Sequence, residues 1–206
     1  MKEWAGKRYW LVGASEGLGR ALAAVMSRAG VELVLSARSE ETLNELAGTL
    51  PGKTHVVPCD ISDMDQVKAA AESAGELDGV VMLAGVYWPM AAPEWDPAKA
   101  SAKTEVTING TIRAIGYGAS KAAVMSLAES MEADLRNSGV DVQLLNPGFV
   151  KPRLTDQNEF AMPFIMEPEE AAREMFEHMS TDRFKKSFPW MFSLLIRGTQ
   201  FLTDWK

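Results

Sequence analysis

Three glycines between an apolar run and a helical pattern constrain this chain more than any other feature. The apolar run is residues 9–12, the glycines are Gly13, Gly17 and Gly19, and the helical pattern covers residues 20–27. Glycine permits a tight turn and a close approach of a ligand to the backbone, and a helix that begins there offers free amides to phosphate groups. A strand, a glycine-rich turn and a helix in this order are the context of a dinucleotide-binding site.

Apolar runs and helical patterns alternate along most of the chain. This alternation predicts an α/β fold, a Rossmann-like doubly wound parallel sheet with helices on both faces. No repeat, linker or low-complexity segment stands out, so we expect a single domain over residues 1–206. The predicted strands are residues 8–14, 32–36, 55–59, 79–83, 141–145 and 186–190. The predicted helices are residues 18–28, 40–50, 64–74, 117–137 and 168–180.

Composition argues against several classes of partner. The net charge is -7 and no basic run is longer than Lys185-Lys186, so we expect neither nucleic acid nor a membrane surface as a partner. The apolar segment 188–202 is shorter than the about 20 residues that span a bilayer, and we interpret it as a packing helix. A single cysteine, Cys59, and the lack of an apolar leader favour the cytoplasm. We expect no bound metal.

Tyr117 and Lys121 lie four residues apart on a predicted helix, so they share one face and can act as a proton-transfer pair. Together with the glycine spacing, the Tyr-x-x-x-Lys pattern resembles the short-chain dehydrogenase/reductase family. The resemblance covers almost the whole chain and implies an NAD(P)-dependent oxidoreductase that transfers hydride between nicotinamide and a carbonyl or alcohol carbon. It also implies that Tyr117 is the acid or base and that Lys121 lowers the pKa of Tyr117 and holds the nicotinamide ribose.

The end of the second predicted strand indicates which cofactor binds. An acidic residue there would bind the ribose hydroxyl of NAD, but this chain has Arg38 and Ser39, which suit the 2′-phosphate of NADP. NADP is therefore the expected cofactor. NAD is the alternative, and Glu16 favours it, because many relatives that use NADP carry a basic residue near that position. The residues expected to bind the cofactor are Gly13, Ser15, Glu16, Gly17, Leu18, Gly19, Arg38, Ser39, Asp60, Ile61, Ala84, Gly85, Tyr117, Lys121, Pro147, Gly148 and Val150.

Four positions depart from the pattern of the family. Met82 and Leu83 replace two asparagines that brace the sheet, so bracing here must come from packing. Thr107 stands where an asparagine supports a proton relay, which puts the relay in doubt. Pro152 replaces a threonine that holds the cofactor carboxamide, and we expect the backbone amide of Val150 to substitute for it, with Thr155 as a more distant candidate.

The segment before the catalytic helix is too short for the family fold. Residues 86–96 read as a loop and residues 97–113 as a helix, which leaves 114–116, fewer than the about 5–6 residues of a mean strand. Either the protein lacks its central fifth strand, or about 30 residues are missing from the chain near 111–116. The family resemblance places the substrate-orienting serine at the end of that strand. We expect the second, because unpaired backbone groups inside a sheet cost on the order of 1–3 kcal/mol each.

Large apolar side chains flank the expected pocket, which suits a lipophilic carbonyl or secondary alcohol, although they fit core or dimer packing equally well. They are Tyr87, Trp88, Met90, Phe149, Phe160, Met162, Phe164 and Ile165. Residues 117–137 carry an apolar stripe, and relatives pair this helix, so we expect a homodimer or homotetramer. The alternatives to an enzyme are a catalytically impaired dinucleotide-binding regulatory protein and an interaction protein that uses the aromatic C-terminal region.

Overall fold

The computed structural model describes residues 2–85, 115–151 and 164–189, and for residues 115–120 it describes the helix backbone. The strands are β1 (Arg8–Val12), β2 (Glu32–Ser36), β3 (Thr54–Val56), β4 (Gly79–Met82), β5 (Leu144–Pro147) and β6 (Lys185–Phe188). The helices are α1 (Gly17–Arg28), α2 (Glu40–Thr49), α3 (Met64–Ala74), α4 (Ile115–Leu135) and α5 (Pro168–Met179). The chain divides into two compact units, residues 1–84 with 145–206, and residues 85–144.

Four strands of the first unit form a parallel sheet in the order β3-β2-β1-β4. The register aligns Trp10 of β1 with Val34 of β2 and with Val80 of β4. Strands β5 and β6 pair with each other in a separate two-stranded sheet. The predicted α/β fold with parallel strands and helical crossovers is confirmed, although the strands of the described residues belong to two sheets.

Both faces of the four-stranded sheet are covered by helices, because successive side chains of a strand point to opposite faces. Leu11, Leu33 and Leu35 are fully buried in the larger cluster, which includes side chains of α1, α2 and α5. Trp10 and Val34 point to the other face, in a smaller cluster with side chains of α3. The alternation of apolar residues along β1 and β2 therefore produces the two layers of helices.

The core of the larger cluster depends on alanines in α1 and α5. Ala23 of α1 and Ala171 and Ala172 of α5 are fully buried, and such small side chains let two helix backbones approach closely. An aromatic cluster extends this core, with Trp4 packed between Tyr9 and Phe176 at ring centroid distances of 5.3 and 4.8 Å.

A buried hydroxyl links two strands of the sheet to the chain that follows a third. Ser36 is fully buried; its Oγ accepts a hydrogen bond from Trp10 Nε1 at 2.8 Å and donates one to the Val57 carbonyl at 2.6 Å. A buried indole N–H needs such a partner, because an unsatisfied donor costs on the order of 1–3 kcal/mol. Ser36 thereby connects β1 and β2 to the chain that follows β3.

Element boundaries differ from the sequence-based expectation where proline or glycine intervenes. Strand β1 ends at Val12 rather than at residue 14, because Gly13 has a φ of 96°. Strand β3 covers Thr54–Val56 rather than 55–59. The Val57 amide still donates to the Leu35 carbonyl of β2 at 2.9 Å, and the Cys59 amide donates to the Ala37 carbonyl just beyond β2 at 3.0 Å, but Pro58 between them has no amide to donate.

Later elements are displaced by a few residues. Strand β5 is Leu144–Pro147 rather than 141–145, and because it pairs only with β6 in the described residues, Pro147 can occupy it without breaking a ladder. Helix α4 begins and ends two residues before the predicted 117–137, strand β6 ends at Phe188, and β4 ends at Met82. The predicted start of α5 at Pro168, with acidic residues in its first turn, is confirmed.

The described part of the second unit consists mainly of α4, a helix of 21 residues. Val124, Leu127 and Met131 on this helix are exposed, at 36%, 57% and 43%. Within the described ranges no helix is long and apolar enough to cross a membrane.

Several expectations concern residues outside the described ranges. These are the loop 86–96, the helix 97–113, the join near 111–116, the positions Thr107, Pro152 and Thr155, the pocket residues Tyr87, Trp88, Met90, Phe160 and Met162, and the C-terminal residues 190–206.

Candidate functional site

The glycine turn between β1 and α1 is held against the end of β2. The amides of Gly13 and Ala14 both donate to the Ser36 carbonyl, at 2.7 and 3.1 Å. The φ of Gly13 is 96°, which residues with a side chain rarely adopt. The turn therefore requires glycine at this position for its conformation.

Gly13 also lies against the chain that leaves β4. A Cβ placed on Gly13 would be 2.5 Å from the Ala84 nitrogen and 2.8 Å from its Cα. The amides of Leu83 and Ala84 both donate to the Val12 carbonyl, at 2.8 and 2.9 Å, and fix this approach. The carboxyl ends of β1 and β4 thus meet at Gly13 and Ala84.

The other two glycines of the motif have different environments. A Cβ on Gly19 would overlap the Gly13 carbonyl oxygen, so Gly19 lets α1 pack directly against the turn. Gly17 has a φ of 50°, and in the described structure only its chain neighbours and the backbone of its own helix lie within 4 Å of the position of its missing Cβ. Of the three, Gly17 therefore has open space beside it, as the close approach of a ligand requires.

The first turn of α1 has no side-chain cap in the described structure. Glu16 is the N-cap residue, with an extended φ of -142°, and its side chain makes no capping hydrogen bond. The amides at the start of a helix carry a partial positive charge and bind anions. Leu18 packs against the core, so the turn offers backbone donors on a fixed support.

The residues expected around the adenosine half of a cofactor lie at the carboxyl ends of β2 and β3. Ser39 Oγ caps α2 by accepting from the Thr42 amide at 3.3 Å, and it shares a hydrogen bond of 2.9 Å with Thr42 Oγ1. Asp60 Oδ1 accepts from the amide and the hydroxyl of Ser62, at 2.9 and 2.7 Å.

These hydrogen bonds from Ser62 lower the pKa of Asp60, first through the backbone amide and then through the hydroxyl, and the positive charge of Arg38 acts in the same direction. Asp60 is therefore held as a carboxylate at the sheet edge that also carries Arg38. Sequence reasoning missed the part played by Ser62. The signal was present, since an aspartate two residues before a serine commonly forms a turn through its side chain.

In the second unit, Lys121 and Gly85 lie close together. Lys121 Nζ is 3.8 Å from the position that a Cβ on Gly85 would occupy. Lys121 is partly buried, and this burial lowers its pKa. Tyr117 lies one turn earlier on the backbone of α4, and its side chain is outside the described residues. The helix that the Tyr-x-x-x-Lys spacing requires is thus present.

The segment after β5 contains the last expected contacts. The Gly148 amide donates to the Phe188 carbonyl at 2.6 Å. Val150 forms a bridge with Met166, in which the Met166 amide donates to Phe149 and the Lys151 amide donates to Met166. This bridge does not use the amide of Val150 itself, which is the donor expected to replace a threonine side chain.

Within the first unit, one end of the parallel sheet, where the carboxyl ends of its strands lie, therefore carries the glycine turn, Ala84, Arg38, Ser39 and Asp60. In open α/β sheets, ligands bind at the carboxyl ends of the strands. Lys121 and Gly85 are brought together separately, within the second unit.

Comparison with known proteins identifies the family. The model of the family described as short chain dehydrogenase matches residues 7–116 and 107–162. An uncharacterized oxidoreductase of Myxococcus xanthus is 31% identical over 243 residues, with 99% of this chain and 96% of the relative covered. The chain belongs to the short-chain dehydrogenase family. The family expected from the sequence is thereby confirmed.

Solved structures of short-chain dehydrogenases share the fold. One from Burkholderia phymatum in complex with NAD has a TM-score of 0.82 at 24% identity, covering 96% of this chain and 94% of that chain. L-sorbose reductase from Gluconobacter frateurii in complex with NADPH and L-sorbose has a TM-score of 0.74 at 20% identity, covering 84% and 90%. At these identities the likeness concerns the fold and does not extend to the substrate.

The alignment with the Myxococcus relative has more positions than this chain has residues. It extends over 243 residues and this chain has 206, so at least 37 aligned positions have no residue of this chain opposite them. The two segments matched by the family model overlap at residues 107–116. Residues 107–116 are therefore included in both matches to the family model, so the match to the model is interrupted there.

The glycine contacts lead to a prediction about stability. Gly19→Ala should lower the free energy of unfolding by at least about 2 kcal/mol, because its Cβ would overlap the Gly13 carbonyl. Gly48→Ala, in α2 with open space around it, should raise that free energy by about 0.5–1 kcal/mol. Urea unfolding of both variants measures the difference. A Gly19→Ala variant as stable as the unmodified chain would contradict the described turn.

Proposed function

We propose that this short-chain dehydrogenase is an NADP-dependent oxidoreductase that transfers hydride between nicotinamide and a lipophilic carbonyl or secondary alcohol. The observation that carries the proposal is the turn in which Gly13 lies against Ala84 while Gly17 has open space beside it. That arrangement leaves room for a pyrophosphate at the uncapped start of α1. When bound, the nicotinamide would supply or accept the hydride.

Two residues of α4 are proposed to manage the proton. A free phenol has a pKa of about 10, so Tyr117 needs a nearby positive charge to exchange a proton near neutrality. The Lys121 ammonium would stabilise the phenolate from one helical turn away. Its position beside Gly85, directly after Ala84 in sequence, supports a second role in holding the ribose.

Arg38 supports the choice of NADP. It follows β2 closely, no acidic residue ends that strand, and its charge acts on Asp60 at the neighbouring strand end. Ser39 Oγ accepts from the Thr42 amide, and when Thr42 Oγ1 is the donor in their shared hydrogen bond, the Ser39 hydroxyl has a proton to donate to a phosphate oxygen. The two cofactors found in related structures, NAD and NADPH, show that the fold accommodates either one.

The substrate class is proposed from apolar side chains near the expected pocket. Of these, Phe149, Phe164 and Ile165 are described. Phe149 is partly buried, and Phe164 and Ile165 are each 41% exposed. Apolar walls with a few polar groups suit a lipophilic small molecule. We also infer that the protein works in the cytoplasm, as its composition suggests.

A specific observation favours a second function. At least 37 positions of the Myxococcus relative are unmatched, and the family resemblance places the substrate-orienting serine on a strand that residues 86–116 are too short to supply. The alternative is a catalytically impaired regulatory protein that binds a dinucleotide. Cofactor binding without turnover of any member of a panel of aldehydes, ketones and secondary alcohols would favour this alternative.

Cofactor preference is tested by fluorescence titration. NADPH should bind about tenfold or more tightly than NADH, because a hydrogen bond to a charged group contributes about 1.5–3 kcal/mol. Arg38→Asp should reverse the order. Arg28→Asp, with the same change of charge at the far end of α1, should keep it. Equal affinities for both cofactors in the unmodified chain would contradict the assignment.

The proton-transfer pair is tested by comparing rate with affinity. On any substrate that the chain turns over, Tyr117→Phe should lower kcat by about 10²–10⁴-fold with little change in cofactor Kd. Lys121→Ala should damage both, because the amine is proposed to reach the ribose. Tyr9→Phe removes a hydroxyl from β1 and should leave kcat unchanged. A Tyr117→Phe variant that keeps most of the rate would show that the role is wrongly assigned.

We also propose that the chain forms a homodimer or homotetramer through α4. The exposed Leu127 and Met131 support this, since large apolar side chains on one helix face favour burial. The unmodified chain should sediment as an oligomer at micromolar concentration, and Leu127→Glu with Met131→Glu should give monomers. Val140→Glu, which charges an exposed site beyond the helix, should not. A strictly monomeric unmodified chain would overturn the proposal.

A further inference from the structure

A groove, called the α1 groove below, runs along one face of α1 and is bordered by α2 and by the start of α5. The α1 residues that line it include Gly17, Arg20, Ala24 and Arg28, which are three or four residues apart and so share one helix face. Its volume of about 710 Å³ is within the range of small-molecule sites. Of the described residues expected to bind the cofactor, only Gly17 lines this groove. The α1 groove is therefore a separate candidate site within the first unit.

The floor of the α1 groove is aliphatic. Ala21, Ala24 and Val25 of α1 line it together with Leu46 of α2 and Pro168 of α5. These side chains have no hydrogen-bonding groups, and Ala21 and Leu46 belong to the larger core cluster, which fixes their positions. Such a floor suits an alkyl chain.

The charged residues around the groove differ in balance from the rest of the chain. The net charge of the chain is -7, yet basic residues in the described lining of the groove outnumber acidic ones by four to two. A patch whose sign is opposite to the net charge concentrates anions locally. The basic residues are Arg20, Arg28, Lys151 and Arg173, and the acidic residues are Glu167 and Glu169.

The two acidic residues are stabilised within the protein. Glu167 Oε1 pairs with Lys151 Nζ at 3.0 Å, and Glu169 lies in the first turn of α5, where the helix dipole favours negative charge. The side chains of Arg20 and Arg173 form no hydrogen bond or ion pair with another described residue. Arg20 is also partly buried, and a charge removed from water favours a counter-ion. An anion from outside the chain would supply that counter-ion.

We propose that the α1 groove binds an amphipathic anion, which consists of a carboxylate or phosphate head group on an alkyl chain. The guanidinium groups of Arg20 and Arg173 would hold the head group, because the planar fork of arginine pairs with two oxygens of a carboxylate or phosphate. The alkyl chain would lie on Ala21, Ala24 and Val25. Nothing in this site takes part in hydride transfer, so the proposal is independent of the oxidoreductase function.

Isothermal titration calorimetry of the full chain with octanoate and octyl phosphate tests the proposal, and the tighter of the two identifies the head group. It should bind saturably at one site per chain, and octanol, acetate and inorganic phosphate should bind at least tenfold more weakly. Arg20→Ala and Arg173→Ala should each weaken binding at least tenfold. Arg136→Ala, at an exposed arginine of the second unit, should leave it unchanged. No saturable binding of either amphiphile, or binding that either groove substitution leaves unchanged, would overturn the proposal.

Ala24→Phe tests the place of the alkyl chain separately, because the larger side chain fills the floor of the groove. This variant should bind the amphiphile at least tenfold more weakly than the unmodified chain. Binding as tight as that of the unmodified chain would overturn the proposal.

Saturating NADPH distinguishes the α1 groove from the glycine turn. Binding of the amphiphile should be unchanged, whereas displacement by NADPH would overturn the proposal, because the anion would then occupy the turn at Gly17. Amphiphile binding by a chain that does not bind NADPH would support the groove and count against the oxidoreductase. Sedimentation of the arginine variants gives one more outcome. A change of oligomeric state without loss of amphiphile binding would assign the groove to a second copy of the chain and overturn the proposal.

Discussion

The described structure depends on one close contact, in which the turn after β1 lies between the start of α1 and the end of β4. Gly13 lies against Ala84, and Gly19 lies against the Gly13 carbonyl. Two amides after β4 donate to the Val12 carbonyl, and two amides after β1 donate to the Ser36 carbonyl. These four hydrogen bonds hold the ends of β1, β2 and β4 together at this turn. A side chain at either glycine would force the helix or the strand away. The geometry that closes the fold is therefore also the geometry that leaves backbone donors open to a ligand.

Much of the first unit could be predicted from sequence because its signals are local. The continuous apolar runs of β1 and β2 indicate strands that are buried on both faces, and glycine and proline end the strands within a few residues of the expected places. The hydrogen bond from Trp10 to Ser36 could not be predicted, because it depends on the register of two strands that are distant in sequence. The displacement of β5 has the same origin. Pro147 looks like a turn residue in sequence, and only its pairing with β6 makes it part of a strand.

Some features of the candidate site could be predicted from the sequence and others could not. The glycine positions follow from steric rules that hold in any chain, and their contacts agree with those rules. The environment of Lys121 could not be inferred, because burial depends on tertiary packing that spacing along a helix does not specify. The shortness of residues 86–116 was visible from the sequence. In the described residues the strands belong to two sheets.

Hydrogen exchange with and without saturating NADP tests the central claim most directly, namely that the turn after β1 binds a dinucleotide. The account predicts slower exchange in residues 13–20, which include the uncapped first turn of α1, and in the segment around Arg38. Exchange at the C-terminal end of α5, where Ser180 Oγ accepts a hydrogen bond from Trp4 Nε1 before β1 begins, should stay the same. Unchanged exchange in residues 13–20 at a cofactor concentration that saturates binding would contradict the account.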